Sequence, residues 1–166
     1  FTNFRPGILW YKTGLIGDVS VKLRILMNTG VVRLGVRYSS AGTNVVTINA
    51  NGQVVLYRGD TVLNTTTIVS STGWHELGFS AIGNILSVSI DGVEIMSVVD
   101  SSPLPPGMIF IGTDTTVLND FLIDDVNLSG TIGTSSAAIA PLAANVIAPA
   151  FGITCTTTNT ANRIIY

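Results

Sequence analysis

The sequence predicts an all-β fold, an antiparallel β-sandwich or jelly roll, and three observations carry that prediction. Apolar and polar residues alternate with period two in segment after segment. Turn-forming residues separate these segments at intervals of roughly 8–12 residues. No stretch of weight keeps the spacing of a helix. A strand sends alternate side chains to opposite faces, so such segments cover a core on one side and meet water on the other.

The elements follow in order. In Val19–Ile25 every odd position is apolar and every even one polar. A turn at Asn28-Thr29-Gly30 leads into Val31–Tyr38, where strict alternation puts Arg33 and Arg37 on one face. Val45–Ala50 and Gln53–Arg58 flank Asn51-Gly52, a strong hairpin signal. Trp74–Ala81 pairs with Ile85–Ile90 across Gly83-Asn84, and Asp91-Gly92 turns the chain into Val93–Val98. Met108–Gly112 and Phe121–Leu128 complete the set of about ten strands. Pro103, Pro105 and Pro106 mark a loop, because proline cannot donate to a sheet ladder.

The 166 residues suffice for one domain. Charged residues make up only 11%, against about 25% in an average soluble domain. Hydrophobic residues reach 46%, mean hydropathy is +0.53 and the formal net charge is −2. High apolar content with low net charge excludes disorder. Eight scattered Lys and Arg form no basic patch, so nucleic acid is not an expected partner. Cys155, the single cysteine, excludes an intrachain disulfide framework and a cysteine-rich zinc module. The longest uncharged apolar stretch, Ala137–Ile153, is shorter than a membrane helix needs, and Asn145 and two prolines interrupt it. Residues 1–130 hold 17 of the 18 charges and residues 131–166 hold only Arg163, which divides the chain into a jelly-roll body (1–130) and an Ala/Thr/Ile-rich C-terminal arm (131–166).

The order of landmarks in the body resembles the concanavalin A-like lectin/glucanase superfamily, especially its laminin G-like branch. The landmarks are Asp18-Val19-Ser20-Val21, Gly52–Arg58, Gly73-Trp74-His75-Glu76-Leu77, Gly83–Gly92 and Phe121-Leu122-Ile123-Asp124-Asp125-Val126, within residues 8–130. The resemblance implies a jelly roll. It leaves function open, since the superfamily includes lectins, enzymes, adhesins and spacer domains.

Glucanases of that superfamily use closely spaced carboxylates, one as nucleophile and one as acid. This chain has two glutamates, Glu76 and Glu94, far apart and in no such motif. Asp124-Asp125 is the one adjacent acidic pair, and neighbours in a regular strand face opposite ways. His75, the single histidine, is read as structural. No enzyme activity and no metal cluster are expected. A lectin site would stack an aromatic on a sugar face, with Trp10, Tyr11, Tyr38 and Tyr57 as candidates and Asp60, Asp114 and Asp120 as carboxylates, calcium being the one cofactor such a site admits. Sequons stand at Asn64-Thr65-Thr66 and Asn127-Leu128-Ser129, and Thr65, Thr66, Thr67, Thr156, Thr157 and Thr158 lie in tracts suited to O-glycans.

The arm repeats Ile-Ala-Pro at 139–141 and 147–149. These prolines exclude a continuous helix and a central strand. An extended arm docking in an apolar groove of a second copy follows, through Ile139, Leu142, Val146, Ile147, Phe151, Ile153, Ile164 and Ile165. The expected function is an extracellular, self-assembling structural subunit whose partners are copies of itself. The alternative is a carbohydrate-binding or adhesive module at the cell surface.

Overall fold

The computed structural model describes residues 8–69, 73–113, 120–132 and 156–157. Among them are eleven strands and no helix. The strands are β1 (Ile8–Thr29), β2 (Val31–Ser39), β3 (Gly42–Asn49), β4 (Gln53–Arg58), β5 (Thr61–Thr67), β6 (Trp74–Ile82), β7 (Ile85–Ile90), β8 (Val93–Val99), β9 (Gly107–Thr113), β10 (Asp120–Ile132) and β11 (Thr156–Thr157).

β1 is 22 residues long and belongs to both halves of a sandwich. Its first part pairs with β9, and from Ile16 onward it pairs with β10 and β6. One sheet therefore runs β5-β4-β3-β2-β9-β1 and the other β10-β1-β6-β7-β8. Apart from the parallel pairing of β11 with β10, every ladder is antiparallel. The core lies between the sheets, with Leu34 and Leu56 from the first meeting Leu23, Leu77, Phe79 and Leu86 from the second. All six are fully buried, as period-two patterning requires.

Three of the hairpin turns that the sequence predicts differ in chemistry. Gly83 has a positive φ of 56° and opens the two-residue loop between β6 and β7, the pattern of a type II′ turn. Asp91 and Gly92 both have positive φ, 52° and 79°, as type I′ demands. The β3–β4 loop has three residues, Ala50-Asn51-Gly52, rather than the two-residue Asn-Gly turn the sequence predicts. Asn49 causes this. Its Oδ1 accepts from the N–H of Asn51 and of Gln53, both at 3.0 Å, and Gly52 closes the loop at φ 79°.

Thr61–Thr67, legible in the sequence only as a threonine-rich tract, forms edge strand β5 on β4. Threonine is β-branched and suits a pleated, half-exposed surface, so a polar run of it holds a strand without alternation.

β2 departs from strict alternation. Gly35 faces Phe110 and Tyr38 faces Met108 on β9, while Val36 faces Asn44 and Ser39 faces Gly42 on β3. One extra residue of β2 is thus accommodated, with Arg37 in the left-handed region at φ 53°. A one-residue slip exchanges the faces of all that follows. The expectation that Arg33 and Arg37 share a face is thereby corrected, since Arg33 stays exposed and Arg37 is only 3% exposed. A second bulge, at Asp125 (φ 48°), interrupts β10 between Asp124 and Asn127.

Candidate functional site

The outward face of β2, β3 and β4 carries an open groove of about 340 Å³. Val31 and Arg33 of β2, Thr47 and Asn49 of β3, Gln53, Val55 and Tyr57 of β4, and Gly59 and Asp60 of the next turn line it. Strand pairing explains why these residues meet. Arg33, Thr47 and Val55 stand in one cross-strand row, and Val31 lies opposite Asn49 in the next. Each is the outward half of an alternating strand whose inward half, Val32, Leu34, Val46, Ile48, Val54 and Leu56, is core.

The polar groups of the groove divide into committed and available ones. Asn49 is committed, since it holds the β3–β4 loop and its Nδ2 donates to Gln53 Oε1 at 3.3 Å. The Arg33 guanidinium, the hydroxyls of Thr47 and Tyr57, the Gln53 Nε2 and the Asp60 carboxylate have no partner among the described residues. Donors, acceptors and one aromatic ring on an apolar floor of Val31 and Val55 make a surface able to bind a polyhydroxylated ligand.

Of the four candidate aromatics, Tyr57 lines the groove. Tyr38 shares its sheet, and its ring meets Phe110 edge-on, with centroids 6.1 Å apart. The β2 bulge decides this, because uninterrupted alternation would turn Tyr38 into the core with Leu34 and Val36. Asp60 lies in the groove, whereas Asp120 accepts from Asn28 Nδ2 at 3.1 Å on β10. The backbones of Trp10 and Tyr11 pair with Phe110 and Ile109 in β9. Asp114, Cys155, Thr158 and the arm residues Ile139, Leu142, Val146, Ile147, Phe151, Ile153, Ile164 and Ile165 lie outside the described residues. Thr156 and Thr157 pair in parallel with Asn127 and Leu128. Asn64 is exposed on β5, and Asn127 is half-buried opposite Lys22.

Most acidic residues of the second sheet are engaged. Glu76 holds Lys22 at 3.0 Å, and Glu94 lies on β8 with β7 between them. Asp125 reaches Arg24 at 3.3 Å, while Arg24 stacks 5.1 Å from the Trp74 ring centre. Asp124 and Asp125 are parted by the bulge rather than by the regular alternation the sequence implies, and Asp124 Oδ1 accepts from the Asp125 N–H at 2.9 Å. No group of three metal-ligating side chains occurs among the described residues.

His75 Nδ1 sits 2.7 Å from Asp91 Oδ2, and Asp91 Oδ1 accepts from the Glu76 N–H at 2.8 Å. Burial raises the Asp91 carboxyl, but the His75 hydrogen bond, the Glu76 N–H and the His75 charge together hold it below its ordinary 3.8. A lowered folded-state value stabilises the fold above the unfolded-state value, and that contribution is lost as pH falls through the folded one. Asp91→Asn keeps a residue that tolerates the left-handed turn position. Urea unfolding is expected to show wild type more stable than this variant at pH 5, with the gap closing below about 3.8. A gap that persists at pH 2 overturns the assignment.

In fold, the chain is similar to the carbohydrate binding module CBM66 from Bacillus subtilis, with TM-score 0.60 and 13% identity over 77% of this chain and 97% of that one. It is similar also to a tetrameric galectin from the ball sponge Cinachyrella, with TM-score 0.56 and 13% identity over 75% and 99%. A third likeness is to sheep galectin-11, with TM-score 0.54 and 12% identity over 77% and 100%. No family model matches the sequence, and no curated protein matches it. At such identities the likeness establishes the fold alone, an antiparallel β-sandwich of jelly-roll type.

Proposed function

We propose that this chain is a carbohydrate-binding module that takes a glycan in the groove on β2, β3 and β4. The observation that carries the reading is the groove itself. It combines a tyrosine ring, a valine floor and polar groups without partners among the described residues, on one face of a sheet. The fold it shares with a carbohydrate binding module and two galectins supports the same reading. Binding here asks for no catalysis, so a non-enzymatic role goes with it, as does a secreted or cell-surface setting.

A titration of the protein against neutral and acidic oligosaccharides tests this by calorimetry. Tyr57→Ala removes the stacking ring, and the expected loss is about 1.4 kcal/mol, roughly tenfold in Kd. Thermal unfolding of the variant checks that the fold is intact. Binding that survives Tyr57→Ala unchanged places the ligand elsewhere and overturns the assignment.

A second reading, in which residues 131–166 join copies of the chain, is favoured by one observation. Within the one chain, Thr156-Thr157 adds to the outer side of β10, so that edge is able to accept a strand, which in this reading comes from a second copy. The oligomeric state of the chain with residues 131–166 deleted, compared with the full chain, separates this from a monomeric binding module.

A further inference from the structure

Five basic side chains are described: those of Lys22, Arg24, Arg33, Arg37 and Arg58. Four of them hold a carboxylate. Lys22 meets Glu76, Arg24 meets Asp125, Arg37 meets Asp18 and Arg58 meets Asp100, at 3.0, 3.3, 3.3 and 3.5 Å. Arg33 alone among the described residues has neither a carboxylate nor any other partner, and it is the one cation in the groove. In a chain so poor in charge, a guanidinium that meets no carboxylate among the described residues stands where a ligand would bind.

Its surroundings keep it accessible. The residue opposite Arg33 on β9 is Gly112, which has no side chain to cover it, and the residue opposite on β3 is Thr47. Asp60, the groove's carboxylate, belongs to the turn after β4, two strands across the sheet from Arg33 and beyond the row that Arg33 shares with Thr47 and Val55. The groove therefore has a cationic end and an anionic end. Arginine presents paired N–H donors in a planar fork, which matches the two oxygens of a carboxylate or sulfate.

We infer that the groove selects an acidic glycan, with Arg33 holding a carboxylate or sulfate group on the sugar while Tyr57 contacts the ring. This rests on the proposed carbohydrate-binding function and names the ligand class of that same groove. The net charge of −2 gives no general attraction for anions, so the preference is local to Arg33.

The test is calorimetric titration with three probes at equal chain length: oligogalacturonate, its fully methyl-esterified form, and a sulfated oligogalactan. Esterification removes the charge and keeps the sugar. Oligogalacturonate or the sulfated probe is expected to bind at least tenfold more tightly than the ester, and the difference between the two acidic probes tells carboxylate from sulfate. Arg33→Gln is expected to bring the acidic probes down to the level of the ester. Arg33→Lys is expected to keep part of the preference, and raised salt to reduce it. Arg33 is exposed, and an unchanged unfolding midpoint in both variants shows that the fold is intact. Equal binding of acidic and esterified probes, still sensitive to Tyr57→Ala, overturns the acidic preference and leaves the carbohydrate-binding function standing. Absence of binding to all three and to neutral oligosaccharides overturns both.

Discussion

Replacing Arg37 with alanine is expected to cost about 3 kcal/mol of folding free energy, a drop of roughly 10 °C in Tm. Arg37 belongs to the first sheet, yet it bonds the second. Its Nε donates to the Gly17 carbonyl at 3.0 Å, and its Nη2 donates to the Ala81 carbonyl at 3.2 Å and to Asp18 Oδ1 at 3.3 Å. Asp18 Oδ1 in turn accepts from the Gly83 N–H at 2.7 Å, so the arginine is coupled to the β6–β7 turn. Removing the side chain leaves two carbonyls without this donor, at about 1–3 kcal/mol for each one that stays dry. The Asp18 ion pair adds little, because its carboxylate is half-exposed. Two further variants distinguish hydrogen bonding from packing. Arg37→Met fills the same space without donors and is expected to be nearly as unstable as alanine. Arg37→Gly relieves the positive φ of 53° and is expected to recover about 1 kcal/mol relative to alanine. Chemical denaturation measures all three, and a methionine variant as stable as wild type would falsify the donor role.

The second large effect is expected at Gly107, the first residue of β9. A Cβ there would lie 2.6 Å from the Tyr38 carbonyl oxygen and 2.7 Å from that of Arg37. Both obstacles are backbone, so no side-chain rotation relieves them. Gly107→Ala forces β9 away from the β2 bulge, at an expected cost of about 2–3 kcal/mol. The bulge turns Arg37 inward and Tyr38 outward, so the variant is also expected to disturb the Tyr38–Phe110 contact, read as a change in near-ultraviolet circular dichroism. Gly17→Ala is the control. Its Cβ would meet Pro106 at 3.5 Å and Thr131 at 3.7 Å, which is ordinary contact, and an effect within about 0.5 kcal/mol is expected. Equal stability of the two variants would remove the steric account of Gly107.

Much of the fold was legible in the sequence because burial and alternation are local properties. Val19–Ile25 and Ile85–Ile90 show their inward and outward faces in the spacing of their own residues. The turns at Gly83-Asn84 and Asp91-Gly92 announce themselves, since few residue pairs tolerate the backbone those turns need. Strand β5 was not legible, because Thr61–Thr67 lacks alternation and its pairing with β4 supplies the order. The groove was half legible. Tyr57 and Asp60 were candidates on residue type alone, while Arg33, Thr47 and Gln53 carry no motif and become neighbours only when β2, β3 and β4 pair in register.

The sequence by itself determined the all-β class, the succession of strands and most of the turns, because each depends on residues a few positions apart. Only the tertiary structure decided which arginine is buried and which stays exposed in the groove. Arg33 and Arg37 are four residues apart on what reads as one regular strand. A single extra residue, accommodated against β3 and β9, sends one to bind the opposite sheet and leaves the other in the groove. That choice depends on the pairing partners, which lie too far along the chain for any local pattern to record.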